Sequence, residues 1–551
     1  MPVLHELKSA CYQDTAKAKR IAGYIRDTKG NDYLQALRGE TDFEVFCCLS
    51  DFPIGLLGWY PFRPGSSVLE MGGNFGERTG ALLRACGHVT VTEPSFLRAQ
   101  GICERYPEAD HLEVYAGAWE ELPSEGAFDY IVVAGGLETA GKGSEDLREY
   151  VEYIGKLKTL LRPGGILLVA VENRYGLRYF CGERERHTGR PFAGIGHTMQ
   201  GAGGRPFSKA ELMEIFHRAD MAYVKFYYPL PDYRMPQLVY TDAHLPEANI
   251  YERLILYHEA KDTLVADEKK LYRDIISNGV FPFFANSYLL ECGLKENGSN
   301  VSYVALSTDR GRDKAMATAI HENGIVTKHP VFEVGRAYVR GLLKKAGRLR
   351  DHHVPVLEQR WDGAGISMPY VPSRTLAMHL RHCVRENLQE FYELLDRLWE
   401  IILVSSEHVP AELNALSDRR DLPWGPILRE ASIELIPVNC FYDGGELLYF
   451  DQEYVRENYP AKYVLFRAIY YIYVFDPGAE AYVPIQSLKE RYGLVELWEI
   501  FREEETEKFL PEVRQHEGYC LFYRQVSPDA GRIQRNIAML MAGDALSPQK
   551  L

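Results

Sequence analysis

The chain has 551 residues, a formal net charge of −14 and 46% hydrophobic residues, a composition that excludes a disordered chain. At roughly 100–200 residues per domain the length implies two to four domains, and the acidic balance argues against non-specific nucleic-acid binding. No apolar run approaches the ~18 residues that span a bilayer. The run "AIYYIYVF" at 468–475 is too short, which leaves only peripheral membrane association open. The N-terminus carries no signal pattern. The ten cysteines are scattered without a CxxC pair, so the expectation is a cytoplasmic protein whose cysteines are small buried hydrophobes.

Residues 1–63 read as an N-terminal helical extension. From 64 to 245, strands are predicted at 67–71 (SVLEM), 88–93 (HVTVTE), 112–116 (LEVYA), 128–134 (FDYIVVA) and 165–172 (GILLVAVE), with helical spacing between them, as in 144–161. That alternation predicts right-handed βαβ units and a parallel sheet covered on both faces. Ser208, with Glu211 three residues on, caps a helix over 208–220. "VKFYYPLP" and "QLVYTD" then predict a closing hairpin with one strand antiparallel to the sheet, unlike a pure dinucleotide-binding domain. Residues 246–284, with "EANIYERLILYHEAKD", read as a helical connector. From 285 to 525 the texture changes. "VSYVALS" and "KAMATAIHENGIVTKHP" predict hairpin strands turning at Glu322-Asn323-Gly324, and 388–404 predicts an apolar amphipathic helix. Strands ahead of helices predict an α+β lobe pair. Residues 526–551 read as a tail.

The stretch "SVLEMGGNFGERTG" (67–80) is a strand, a glycine-rich turn and a helix start. Such glycines let the backbone approach a ligand, and the helix directs its positive end at it. Glu70, two residues before Gly72, can order the turn and meet an ammonium. Glu93 ends the next strand, where an acid accepts both hydroxyls of a ribose. This combination resembles class I S-adenosylmethionine-dependent methyltransferases over roughly 64–245. Their E/D-x-G-x-G-x-G turn matches as Glu70, Gly72, Asn74 and Gly76; asparagine, in place of the middle glycine, is among the residues that best tolerate positive φ. The resemblance implies a Rossmann-like seven-stranded sheet and S-adenosylmethionine cradled by Gly72, Gly73, Asn74 and Gly76. Glu93 would hold the ribose, and Trp119 would stack on the adenine where Ala118 replaces the usual polar residue. A nicotinamide site is the alternative, though that class normally has an apolar residue at the position of Glu70.

The fifth strand ends in "VENRYGLRYFCGERERHTGRPFAG" (171–194), with Asn173, Arg174, Arg178, Arg184, Arg186, His187 and Arg190. "YYPLPDYRMP" (227–236) adds Tyr228, Asp232 and Tyr233. Arginine forks match carboxylate or phosphate, and His187 titrates near neutrality, as a general base does. A solvated, salt-bridged loop is the alternative. These segments also resemble methyltransferases of bacterial surface-polysaccharide clusters. That implies a glycan or glycosyl-phosphate acceptor touched by Asn173, Arg174, Arg178 and Tyr228, with glycosyltransferases as partners.

In "EASIELIPVNCFYDGGELLYFDQEY" (430–454), Asn439 follows Glu434 by five residues and Asp451 follows twelve later. The stretch resembles the H-G-D-L-H-P-G-N…D-F-E pattern of aminoglycoside and choline kinases, which have the protein-kinase-like fold. Pro437, Asn439 and Asp451 match, Glu434 stands for the catalytic Asp, and the histidine is absent. The resemblance implies ATP and Mg2+, with Asn439 and Asp451 on the metal, Lys328 of "GIVTKHP" on the phosphates and Glu434 taking the hydroxyl proton. The extra methylene of Glu434 displaces a base by about 1 Å, an error that can cost on the order of 100-fold. A slow kinase, a nucleotide-binding pseudokinase and an unrelated α+β domain therefore all stay open. The domain order is similar to that of bifunctional kinase–methyltransferases that phosphorylate and methylate the last sugar of a polysaccharide. A non-enzymatic assembly scaffold is the competing class.

Overall fold

The computed structural model describes every residue except 10–11, 29, 31, 123–125, 248–249, 251–253, 255, 514–529 and 543–551. The chain divides into two compact units, one of residues 1–309, 317–323 and 516–551, the other of 310–316 and 324–515.

The first unit is built on β1 (Val3–Glu6), β2 (Ser67–Met71), β3 (His88–Glu93), β4 (Leu112–Ala116), β5 (Phe128–Ala134), β6 (Leu161–Glu172), β7 (Tyr223–Leu230), β8 (Leu238–Thr241), β9 (Ser287–Gly293), β10 (Val301–Leu306) and β11 (Met316–His321). Their order is β1-β4-β3-β2-β5-β6-β9-β7-β8-β10-β11. The segment from β4 to β6 is parallel, as continuous apolar runs such as Ile131–Val133 require when both faces are covered. Ser208 and Glu211 form the expected capping box on the helix Lys209–Arg218.

Three expectations change. First, the hairpin of β7 and β8 exists, but the strand beside β6 is β9, antiparallel to both β6 and β7. Residues 287–293 therefore belong to the first unit, not to a second domain starting at 285, and so do β10 and most of β11. The cause is burial: all seven residues of β9 are buried, so it is a central strand. Its Glu291 carboxylate accepts hydrogen bonds from the hydroxyls of Tyr60 and Tyr227 and the N–H of Ser299. Relative to the dinucleotide-binding order 3-2-1-4-5-6, one antiparallel strand is wedged ahead of the sixth.

Second, among the described residues of the connector, α-helix is confined to Glu268–Ser277 and Phe281–Phe284. Leu254, Leu256 and Tyr257 are instead buried in a non-helical segment; residues 248–249, 251–253 and 255 of the predicted helix lie outside the described residues. Third, the N-terminal extension is helical at Ala16–Asp27 and Phe43–Leu49 but begins with β1, which pairs in parallel with β4. Its Ile21, Ile25 and Phe46 pack with Phe75 of the glycine turn. Of the predicted tail, 526–529 and 543–551 lie outside the described residues. The helix Ala530–Met541 buries Ile533 in the first unit's core, and Asn536 donates to the carbonyls of Lys261 and Leu264.

In the second unit, β12 (Ile325–Pro330), β13 (Arg360–Trp361) and β14 (Ile366–Pro369) are antiparallel. The helix Arg336–Asp351 contributes Val339 and Leu342 to a core with Ile366 and Met368. A larger core gathers the helices Leu376–Glu386, Leu388–Val404 and Ala461–Phe475 around β15 (His408–Val409), β16 (Ile427–Ser432), β17 (Cys440–Asp443), β18 (Glu446–Tyr449) and β19 (Val455–Pro460). The smaller core lies under β12–β14, and the larger one mixes helices with strands. Among the described residues no helix is long and apolar enough to cross a membrane.

Tyr227→Phe removes one hydroxyl from the buried Glu291 carboxylate. It is expected to cost the first unit about 1.5–3 kcal/mol, with the second unit's unfolding unmoved, as read by hydrogen exchange resolved by segment. No change in the exchange of β6, β7 and β9 would contradict the role given to Glu291.

Candidate functional site

The glycine turn follows β2. The N–H groups of Gly72 and Gly73 both donate to the Thr92 carbonyl, at 2.8 and 3.1 Å, which bends the chain away from the sheet. Gly72 has φ 68° and its α-carbon faces open space, whereas a Cβ on Gly73 would collide with Val91 of β3. Gly73 is thus required by packing and Gly72 by conformation. Asn74, at φ 48°, is left-handed, as its place in the pattern implies.

Two acids flank this turn. Glu70 is 2% exposed. Its Oε2 accepts from Thr79 Oγ1 at 2.6 Å, while its Oε1, equally buried, has no partner. Burial pushes its carboxyl up to about 7, against the pull of Arg78. Glu93 accepts from the N–H of Asn74 at 2.8 Å on Oε2 and from that of Ser95 at 3.1 Å on Oε1. Burial raises it, too, to about 7, opposed by the Ser95 N–H and Arg98. Each Glu93 oxygen keeps a further lone pair, the complement of a vicinal diol. Arg98 bridges Asn74 Oδ1 and Asp14 Oδ1, both at 3.1 Å. Glu70, Gly72, Gly73, Asn74, Gly76 and Glu93 thus surround one turn. Trp119 packs edge-on against Tyr153, with centroids 5.8 Å apart, and the Ala118 N–H donates to Ser9 Oγ at 2.6 Å.

The arginine-rich loop after β6 is largely turned inward. Arg174, 1% exposed, meets His197 Nδ1 at 2.8 Å and Glu145 at 3.4 Å. Arg178, 3% exposed, donates to Asp232 at 2.8 Å, and Arg184 donates to Asp262 at 2.5 Å. The Asn173 amide donates to the carbonyls of Phe283 and Ala285. The Tyr228 hydroxyl donates to Asp242 at 2.5 Å and accepts from Lys209. Arg174 and Arg178 are buried and Arg184 half-buried, while Arg186 and Arg190 are exposed. The forks of Arg174, Arg178 and Arg184 already hold carboxylates of the chain.

His187 packs its ring against Gly204 and donates its main-chain N–H to Glu185 at 3.0 Å. Burial lowers the imidazole pKa, against Glu185 and Glu172, so the ring is neutral at neutral pH. Its Nε2 is buried without a partner. Around it stand residues the sequence reading did not select. Glu138, 1% exposed, accepts the N–H of Glu172 on Oε1 at 2.5 Å. Glu172 in turn binds the Tyr179 hydroxyl and lies 3.8 Å from Arg234 and 3.9 Å from Arg186. Burial and the neighbouring Glu172 push Glu138 up to about 8. A usable signal was present: both acids sit at the carboxyl ends of β5 and β6, where open α/β sheets gather ligands.

The second unit brings Lys328, Asn439 and Asp451 together. Lys328 pairs directly with Asp451 and lies 3.3 Å from Glu453, and the Asn439 amide donates to the Asp451 carbonyl at 3.4 Å. Against burial, which would raise it, Lys328 holds Asp451 down to about 2. Glu434 clamps main chain: its Oε2 accepts the N–H groups of Glu453 and Tyr454 at 2.5 and 3.0 Å. Burial and the acids Glu453 and Asp451 push Glu434 up to about 8. Glu453 also binds Arg310, and its carbonyl accepts from Lys345.

No protein-family model matches the chain, and no curated protein does. Similar solved structures include a Haloferax volcanii methyltransferase solved with the Trm112 activator (15% identity, 52% of this chain and 100% of that one, TM-score 0.30). Others are a SAM-dependent methyltransferase of Thermotoga maritima (14%, 50% and 100%, TM-score 0.27) and one of Aquifex aeolicus (18%, 35% and 89%, TM-score 0.24). Likeness at this level leaves the chemistry to the site's own residues.

Glu70 gives a pH test. An unfolded glutamate titrates near 4.5 and the folded one near 7, so the folded state binds the extra proton between those values. The first unit should therefore lose stability as pH rises from about 4.5 to about 7. Glu70→Gln should flatten that decline in urea titrations across pH; an unchanged decline would contradict the burial assigned to Glu70.

Proposed function

We propose that the first unit is an S-adenosylmethionine-dependent methyltransferase acting on a glycan or glycosyl-phosphate acceptor, in the cytoplasmic synthesis of a bacterial surface polysaccharide. The observation that carries this is the pairing of Glu70 and Glu93 across the turn Gly72–Gly76. It offers an orphaned carboxylate oxygen for an ammonium, spare lone pairs for a vicinal diol and a bare α-carbon for close approach. S-adenosylmethionine carries all three complements, and when bound it supplies a methyl group activated by a sulfonium charge. The chain's part is alignment and exclusion of water. Glu93 orients the diol, Gly72 gives the backbone room, and the acceptor enters over the ends of β5 and β6, among His187, Tyr233 and the acids beside them. The glycan identity rests on the polysaccharide-type resemblance of 171–194 and 227–236.

Glu93→Ala removes two hydrogen bonds to a charged group, each worth about 1.5–3 kcal/mol, and should weaken S-adenosylmethionine roughly 100- to 10,000-fold. Calorimetric titration checks this. Equal affinity in the variant, or no binding by the wild-type chain, would sink the reading.

A second activity is favoured by one observation, the convergence of Lys328, Asn439 and Asp451. We propose that the second unit binds ATP with Mg2+, Lys328 turning from Asp451 to the phosphates and Asp451 with Asn439 taking the metal. Whether the hydroxyl of a glycan terminus is then phosphorylated turns on Glu434, whose carboxylate holds main chain. Titration with ATP and Mg2+ should show binding that is lost in Asp451→Ala. Affinity unaffected by that change would remove the metal role.

A further inference from the structure

We infer that Glu138 takes the acceptor's proton in the methyl-transfer site, so that the acceptor group is a neutral hydroxyl rather than a phosphate or carboxylate. This rests on the methyltransferase reading above.

The placement comes first. β5 lies beside β2 with Val133 opposite Met71, so Gly135–Glu138 leave the sheet next to the glycine turn. Gly135, at φ 79°, turns the chain there, and a Cβ on it would sit 2.9 Å from the Tyr233 hydroxyl and 3.5 Å from Glu138 Oε2. The absent side chain lets the Tyr233 phenol and the Glu138 carboxylate close on Gly135. Glu138 Oε1 is committed to the Glu172 N–H, which leaves Oε2 on the side of Gly135 and Tyr233. The His187 ring rests on Gly204, beside the main-chain carbonyl of Glu138 rather than its carboxylate.

The need for a base selects the acceptor. Burial and the Glu172 carboxylate hold Glu138 near neutrality, where a general base works best. A phosphate or carboxylate needs no base, whereas a hydroxyl must lose its proton as it is methylated. Arg174, Arg178 and Arg184, whose forks could have bound an anion, are paired with Glu145, Asp232 and Asp262, and Arg234 and Arg186 lie against Glu172. In the step, the hydroxyl oxygen forms the new O–C bond as the methyl C–S bond breaks, its electron pair going to sulfur. The hydroxyl proton passes to Glu138 Oε2, and solvent recovers it afterwards.

The groups facing the Glu138 carboxylate are Glu172 at the end of β6, Arg186 of the following loop, and Tyr233 and Arg234 after β7, while Arg205 and His187 stand at its main-chain carbonyl. Of these, His187 has its pKa lowered by burial, and the Tyr233 phenol is raised well above its ordinary value, first by burial and then by Glu138. Turnover should therefore rise with pH toward about 8 as Glu138 ionises.

The test supplies methyl-labelled S-adenosylmethionine with a series of methyl hexosides and the matching hexose phosphates. Label on a free hydroxyl is expected. Label only on phosphate oxygen, or on neither series although the donor binds, overturns the inference. Glu138→Gln should lower kcat roughly 100- to 10,000-fold, leave donor affinity within about twofold and abolish the rise with pH. Glu138→Asp, which keeps the carboxylate, should recover part of the rate. If the wild-type chain fails to bind the donor, the methyltransferase reading itself falls. If the donor binds and Glu138→Gln turns over normally, only this inference does.

Discussion

A carboxylate sealed inside a sheet must find donors, and Glu291 on β9 finds them in Tyr60, Tyr227 and Ser299. That satisfied charge marks the strand on which the first unit depends. Among the described strands of the sheet, β9 joins the parallel half, β4 to β6, to the half containing β7, β8 and β10. The parallel pairing of β2, β3, β5 and β6 puts their carboxyl ends together at one edge, where the glycine turn, Glu93, Glu138 and Glu172 all stand. The chemistry sits there because the sheet's polarity puts it there.

The same arrangement explains which features could be read from sequence. β2 to β5 fall on their predicted bounds because an apolar strand between helices leaves few alternatives. The turn residues Glu70, Gly72, Asn74 and Gly76 were legible because their spacing is local. β9 was not, since "SYLLECG" looks the same whether it pairs with a distant strand or with its neighbour, and pairing partners are set by tertiary packing. The arginines of 174–184 illustrate the other limit. Sequence offered them as open forks, but the carboxylates that close them, Glu145, Asp232 and Asp262, are 29, 54 and 78 residues away. Glu138 and Glu172 escaped notice for the converse reason: nothing local marks a glutamate as sharing a buried site with another 34 residues on.

In the second unit, spacing carried further than residue identity. Lys328 and Asp451 meet across 123 positions. Glu434, the residue that departs from that pattern, has its carboxylate bound to the backbone beside Asp451. Lengthening an aspartate by one methylene lets it reach the following segment, and the same carboxylate then serves as a brace for main chain.

The helix Ala530–Met541 returns to the first unit and buries Ile533 there. In the order of synthesis, the first unit's sheet stays incomplete until β9 to β11 emerge, and its outer helix arrives only after the whole second unit has left the ribosome. At about 5–20 residues per second, the growing chain carries an unfinished apolar face for tens of seconds while the second unit folds. The protein is thus one unit interrupted by another, and a cut near residue 245 or 285 would separate neither of them whole.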